Sequence, residues 1–274
     1  MPTQSYRAFR LSPDGKRLAI LVRELQSNVY VYDIARGTGT KLTLEGDNYD
    51  PLWTPDGERV VFCCRREGQE EWNLLLTPAD SSSKTELLYS APFKLAPYSW
   101  SPDRKLLALY GDHNIWALPL EGQRELKPIL GTEFFELFPA FSPDGQWIAY
   151  NSNRDGSYQI YVRPYPAMDR VIRVSREFGE EPIWSPDGKE LFYRNRDKWM
   201  VVSISTEPEF VAGTSQVVFE GPYGNVPGLS YDVAPDGQRF LVLQPQYDDS
   251  QVRELHVVTN WFEELKRLVP PGKE

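Results

Sequence analysis

The chain is predicted to be all-β, a six-bladed β-propeller of four-stranded antiparallel blades, and three observations predict it. A four-residue phrase, Ser-Pro-Asp-Gly or a near variant, occurs six times: Ser12-Pro13-Asp14-Gly15, Thr54-Pro55-Asp56-Gly57, Ser101-Pro102-Asp103-Arg104, Ser142-Pro143-Asp144-Gly145, Ser185-Pro186-Asp187-Gly188 and Ala234-Pro235-Asp236-Gly237. Its aspartates are spaced by 42, 47, 41, 43 and 49 residues, and a self-similar period of roughly 40–50 residues marks a propeller or solenoid array. Each copy also sits between short apolar runs, as a turn between strands should.

The phrase itself reads as a tight β-turn. Proline presets φ at the first central position, aspartate suits the second, and glycine takes the left-handed position that follows. Such a turn joins two antiparallel strands through a short, bulged hairpin. Arg104 replaces glycine in the third copy. A non-glycine residue there costs about 1 kcal/mol, so that turn is expected to be distorted or strained.

The flanks repeat with the turn. Three residues before each aspartate stand Leu11, Trp53, Trp100, Phe141, Trp184 and Val233. Four and six residues after it stand Leu18/Ile20, Val60/Phe62, Leu107/Leu109, Ile148/Tyr150, Leu191/Tyr193 and Phe240/Val242, with Ala19, Val61, Ala108, Ala149, Phe192 and Leu241 between them. A strand apolar on both faces is buried on both faces, so the segment after each turn is read as the inner strand of its blade. A third strand follows in each unit, as at Val29-Tyr30-Val31-Tyr32 or Ile160-Tyr161-Val162, and a weaker fourth precedes the next unit, as at Lys41-Leu42-Thr43 or Val217-Val218-Phe219.

Blades cannot bury their faces alone, so residues 1–260 are expected to form a single propeller domain. The tail, residues 261–274, departs from the repeat. Trp261, Leu265 and Leu268 match helical spacing, Asn260 offers a cap and Pro270-Pro271 a stop. A short C-terminal helix is therefore expected, with an outer strand as the competing reading. Because the chain starts on blade one, a helical tail would leave ring closure to side-chain packing.

Bulk composition excludes several classes. The 274 residues carry a formal net charge of −9, which argues against nucleic acid as partner, since phosphate binding needs a lysine and arginine footprint. An anionic membrane surface is disfavoured for the same reason, and no apolar run approaches the ~20 residues needed to span a bilayer. The 2 cysteines, Cys63 and Cys64, are adjacent on a predicted strand, where side chains alternate faces, and form no disulfide framework. Met1 to Gly15 contains no apolar signal region. The chain as written is expected in the cytoplasm, or in the periplasm or outside the cell if it is part of a longer chain.

These residues resemble the WD40-like, Pro-Asp-type propeller repeat of the TolB family. The fourth copy is the fullest match, with Phe141-Ser-Pro-Asp-Gly-Gln-Trp-Ile-Ala-Tyr150, Ser152-Asn-Arg-Asp-Gly156 and Gln159-Ile-Tyr-Val162. A narrower resemblance covers about residues 140–272. Tyr158-Gln-Ile-Tyr-Val-Arg-Pro-Tyr-Pro166, Tyr231-Asp-Val-Ala-Pro-Asp-Gly-Gln-Arg-Phe240 and Asn260-Trp-Phe-Glu-Glu-Leu-Lys266 are similar to the C-terminal propeller of large bacterial Ser/Thr protein kinases. That resemblance implies a sensor or interaction module. The sequence has no Gly-rich phosphate loop, His-Arg-Asp catalytic loop or Asp-Phe-Gly triplet, so kinase activity does not carry over.

A search for catalytic chemistry returns little. Gly213-Thr-Ser215 and Gly228-Leu-Ser230 come nearest to a nucleophile elbow, and both lack its second glycine. Prolyl oligopeptidases carry similar propellers but add a hydrolase domain that this sequence lacks. The two histidines, His113 and His256, have no zinc-type spacing. The repeated aspartates are explained by the turn, and six copies spread around a ring cannot share one ion.

The candidate site is the mouth of the axial channel, placed in the segments just upstream of the Pro-Asp phrase. Its residues are Tyr6, Arg7, Asn48, Tyr49, Asp50, Tyr98, Phe135, Glu136, Glu180, Glu181 and Tyr231, with Asp47, Lys94, Glu133 and Phe134 beside them. Carboxylates alternate with aromatics there, which suits a basic peptide held by charge and aromatic anchors. Converging oxygens would also suit Ca²⁺ in the channel, although no cofactor is required. Glu180 and Glu181 as a glycosidase pair is disfavoured, because neighbours on a strand point apart. The function expected is a non-enzymatic, monomeric binding module for a protein or peptide. The alternatives are a sensor domain separated from a receptor-type kinase and a metal-dependent lyase or hydrolase working in the channel.

Overall fold

The computed structural model describes residues 5–245 and the strand at 254–258. The first sheet orders β1 (Tyr6–Leu11), β2 (Arg17–Arg23), β3 (Ser27–Asp33) and β4 (Thr38–Lys41). The second orders β5 (Asp47–Trp53), β6 (Arg59–Arg65), β7 (Trp72–Pro78) and β8 (Glu86–Ala91). The third orders β9 (Ala96–Trp100), β10 (Leu106–Gly111), β11 (Asn114–Pro119) and β12 (Lys127–Leu130), and the fourth β13 (Glu136–Phe141), β14 (Trp147–Ser152), β15 (Gln159–Pro164) and β16 (Ile172–Arg173). The fifth runs β17 (Glu180–Trp184), β18 (Glu190–Asn195) and β19 (Lys198–Ser205), whose outer edge pairs with β20 (Val211–Ala212) at one end and β21 (Gln216–Glu220) at the other. The sixth repeat gives β22 (Tyr231–Val233), β23 (Phe240–Gln244) and β24 (Glu254–Val258).

The expectation of six four-stranded blades is corrected by this topology. Five sheets are complete blades, not six, and the sixth repeat forms a three-stranded sheet among the described residues. Among the described residues β1 to β4 all pair within the first sheet, so none of them completes the last one. The expected helix at 261–269 lies outside the described residues, as does the boundary placed at 260.

A second correction concerns the axis. Contacts join β1 to β5, β5 to β9, β9 to β13, β13 to β17 and β1 to β22. The strand before each Pro-Asp turn is therefore innermost, and the fully apolar strand after the turn is second. The second strand is buried on both faces because neighbouring sheets cover both of its faces, and in β14 all six residues are buried.

The turns repeat one geometry. In the first copy the Gly15 N–H donates to the Ser12 carbonyl (2.8 Å), and Ser12 Oγ donates to Asp14 Oδ1 (2.5 Å). Asp14 Oδ1 accepts from Lys16 N–H (3.1 Å), and Ser12 Oγ accepts from Arg17 N–H (2.9 Å). The same pattern holds around Thr54, Ser101, Ser142 and Ser185. The serine hydroxyl holds the Asp14, Asp103 and Asp187 carboxyls below the usual range. Ala234 has no hydroxyl, and there Arg239 Nε donates to Asp236 Oδ2 at 2.8 Å instead.

Arg104 does not distort its turn. It takes φ 63°, close to the 68–72° of the glycines in the other copies, and keeps the bond to the Ser101 carbonyl at 2.8 Å. The left-handed strain is borne within a regular turn. Replacing Arg104 with glycine removes the Cβ clash but adds unfolded-chain entropy. The expected net gain is up to about 0.5 kcal/mol, read as a higher midpoint in urea unfolding, and a loss of stability would contradict the strain.

Candidate functional site

The innermost strands are shaped by bulges. Register shifts interrupt the pairing between Tyr6 and Ala8, Tyr49 and Leu52, Leu137 and Ala140, and Glu180 and Ile183, and between Ala108 and Leu109 opposite β9. Three bulges place a non-glycine residue in the left-handed region just before a proline: Asp50 (φ 49°), Phe138 (φ 55°) and Glu181 (φ 59°). A residue before proline avoids the α region, so a bulge that departs from regular pairing accommodates each one. Bulges re-aim side chains at the rims of closed sheets.

Beyond each bulge the strand runs to the Pro-Asp turn, and its side chains alternate between the axis and the joint with the previous sheet. Four residues before each aspartate stand Arg10, Leu52, Ser99, Ala140, Ile183 and Asp232, and all six line one funnel of about 420 Å³ on the turn face. Tyr98, Phe138 and Leu229 line it too, and Pro13, Pro102, Pro143 and Pro186 form its exposed rim. The walls are largely apolar and half-buried. Beneath Arg10 and Tyr98 lies a small cavity of about 10 Å³ between Phe9, Asp50, Pro97 and Leu229.

The residues expected at the mouth are dispersed rather than gathered. Tyr98 lines the funnel and the small cavity, where Asp50 joins it. The Asp50 carboxylate is held by Lys94 Nζ at 2.6 Å. Burial pushes the Lys94 ammonium down, and Asp50 more than offsets it, leaving Lys94 raised. Asn48 is buried and donates to the Ser27, Glu45 and Gly46 carbonyls. Glu136 is buried and accepts from Thr132 (2.9 Å) and Ser152 (3.2 Å). Tyr6 lies in an apolar cluster with Phe9, Ile20 and Leu243. Arg7 is exposed and Glu180 half-buried, and Phe135 packs edge-on against His113 at 4.4 Å. Tyr49 and Asp47 line a separate cavity of about 540 Å³, with Trp72, Arg65 and Arg66, at the end of the second sheet away from its Pro-Asp turn. Among the described residues no group of three His, Cys, Asp or Glu side chains is placed to hold a metal ion. Glu136 Oε1 and both Glu181 carboxylate oxygens are taken by separate local donors, and the Asp50 carboxylate by Lys94. Cys63 and Cys64 are free thiols buried in β6.

Glu181 and Tyr231 instead form the joint between the fifth and sixth sheets. Glu181 Oε2 accepts from Ser230 N–H (2.7 Å) and Oε1 from Ser230 Oγ (2.9 Å), while Tyr231 Oη donates to the Glu181 carbonyl (2.7 Å). Arg194 Nη1 stands 3.8 Å from Oε1. Burial nevertheless pushes the Glu181 carboxyl up to about 7, outweighing the Ser230 bonds and the Arg194 charge.

Sequence reasoning missed the six axis positions because they share no residue type. The signal available was positional, one residue per repeat at a fixed offset from the aspartate. The prolines at 51, 139 and 182, two residues before Trp53, Phe141 and Trp184, also marked the bulges.

No protein-family model matches the chain. Over 160 residues it is 30% identical to an uncharacterized protein of Agrobacterium fabrum, covering 57% of this chain and 54% of that one. Over 148 residues it is 31% identical to the uncharacterized peptidase YuxL of Bacillus subtilis, covering 53% of this chain and 21% of the peptidase. The chain thus matches about half the length of the first relative and a fifth of the second. The crystal structure of TolB from Acinetobacter baumannii superposes with a TM-score of 0.67 at 18% identity, over 94% of this chain and 61% of that one. This similarity shows a shared β-propeller fold.

The Glu181 joint gives a pH prediction. A carboxyl whose folded pKa lies above its unfolded value of 4.5 stabilises the fold below that value, and the contribution falls as pH rises through 7. Between pH 5 and 7.5, wild type is expected to lose roughly 1–3 kcal/mol relative to E181Q, measured by urea unfolding. A difference constant across that range would contradict the assignment.

Proposed function

We propose that the chain is a binding module that engages a protein or peptide through the funnel on its turn face. The observation that carries this reading is an axial cavity whose walls are apolar yet reachable by water. Leu52, Phe138 and Ile183 are half-buried around about 420 Å³. A concave apolar site with a few polar groups is the usual form of a ligand pocket, and aromatic and aliphatic anchors carry most interface energy. The larger cavity beside Trp72 is a weaker candidate. Its charged rim is partly self-satisfied, with Arg66 facing Glu45 at 3.8 Å and Arg65 over the Trp72 ring at 5.5 Å.

In this reading residues 1–260 act as one monomeric propeller and 261–274 as its tail. Two observations support a place within a larger architecture: the resemblance of residues 140–272 to kinase-borne sensor propellers, and the match to a fifth of the longer peptidase YuxL. What that peptidase's name says of its activity belongs to that protein. The enzymatic alternative in the channel has less support, since the funnel is lined mostly by Leu, Ile, Ala, Pro and aromatic side chains, with Ser99, Ser101, Ser142 and Ser185 among them and Arg10 and Asp232 as its charged groups.

A random peptide array probed with wild type, L52D and W72A tests the reading. Leu52→Asp puts a charge on the apolar wall and is expected to weaken the bound peptides at least about tenfold. Trp72→Ala should leave them bound. Undiminished binding by L52D, or loss on W72A alone, would move the site off the funnel.

A further inference from the structure

The geometry points to a narrower ligand, on the premise that the funnel is the binding site: a peptide's C-terminal residue with an apolar side chain, its carboxylate taken by Arg10 and the Tyr98 hydroxyl. Arg10 is half-buried and lines both the funnel and the small cavity below. Its Nη1 donates to the Phe9 carbonyl at 3.0 Å, and it makes no ion pair among the described residues. The other buried or half-buried cations near the axis are matched. Lys94 has Asp50 at 2.6 Å and Arg194 has Glu181 at 3.8 Å.

Asp232, across the ring joint, does not fill the role. Its Oδ2 accepts from Leu11 N–H (2.8 Å) and its Oδ1 from Val233 N–H (2.9 Å). Its carboxyl is raised by burial, against the pull of Arg10 and the two backbone donors. Among the described residues the Tyr98 hydroxyl has no hydrogen-bond partner, and its ring is fixed edge-on against Phe138 at 5.2 Å. A guanidinium with free donors beside a free phenol is a carboxylate receptor, and its attraction strengthens away from bulk water.

The surrounding chemistry selects among anions. Apolar walls at Leu52, Phe138 and Ile183 reward a carboxylate joined to an apolar side chain and offer a phosphate no further donors. The void below Arg10 and Tyr98 is about 10 Å³, too small to hold a residue. A chain terminus can reach Arg10 from the open side, whereas an internal Asp or Glu would have to bend the chain back on itself.

Calorimetric titration of the full chain with hexapeptide mixtures ending in Leu or Phe tests this, each as free acid and as C-terminal amide, with N-acetylphenylalanine as the small-molecule probe. The free acids are expected to bind at least about tenfold tighter than the amides, and tighter than N-acetylphenylalanine. The gap between acid and amide should collapse in R10Q and shrink in Y98F, while R10K, which keeps the charge but not the fork, should retain part of it. L52D should weaken both forms. Acids and amides binding equally to wild type, while L52D still weakens both, would overturn the carboxylate and leave the funnel. N-acetylphenylalanine binding as tightly as the peptides would overturn the chain end. Acids and amides binding with no effect of L52D would overturn the funnel itself.

Discussion

The fold depends on the joint between consecutive Pro-Asp turns. The proline of one turn packs against the glycine of the next, and a β-carbon on Gly57, Gly145, Gly188 or Gly237 would meet Pro13, Pro102, Pro143 or Pro186 at 3.3–3.6 Å. Gly15 faces Pro235 at 3.2 Å in the same sense, so the last turn closes on the first. Hydrogen bonds reinforce these joints from the axis side. The indoles of Trp53, Trp100 and Trp184 donate to the carbonyls of Arg10, Trp53 and Ala140. Where tryptophan is missing, another group serves: Ser99 Oγ accepts from Phe141 N–H, and Asp232 accepts from Leu11 N–H. Among the described residues closure is made by packing and side-chain bonds, together with the apolar cluster of Phe9, Ile20, Val226 and Leu243.

This joint also places the site. A large residue three before each aspartate turns into the joint, so the preceding residue turns to the axis. The repeat constrains the first and leaves the second free. Stability is carried by the positions where the repeats agree, and the funnel's chemistry by the positions where they differ. Arg10 and Asp232 come from the first and last repeats and stand on either side of the closing joint, so the charged end of the funnel and the closure of the ring share residues.

Much of the architecture was legible because the turn grammar is local. Proline, aspartate and glycine each set their own backbone angle, and the apolar runs after the turn announce buried strands. The innermost strands were harder to see. Bulges break their alternation, and Pro51, Pro139 and Pro182 argue against a regular ladder. The strand count of the sixth repeat is a matter of which strands pair, which no local pattern decides. The proposed acidic mouth failed to gather because Asn48, Glu136 and Glu181, all upstream of their turns, are turned into the interior, where backbone carbonyls hold Asn48 and hydroxyls and a backbone amide hold the two carboxylates. Tyr98 was found by its aromatic character. Leu52 and Ile183 look like ordinary strand residues until the ring arranges them around an axis.

Hydroxyl-radical footprinting of the full chain, with and without the peptides it binds, tests most directly whether the turn-face funnel is the functional surface. Oxidation of Tyr98, Phe138 and Leu52 should fall on binding, while Tyr49, Trp72 and Phe135 stay unchanged. Protection of Tyr49 and Trp72 with the funnel residues unaffected would contradict the account.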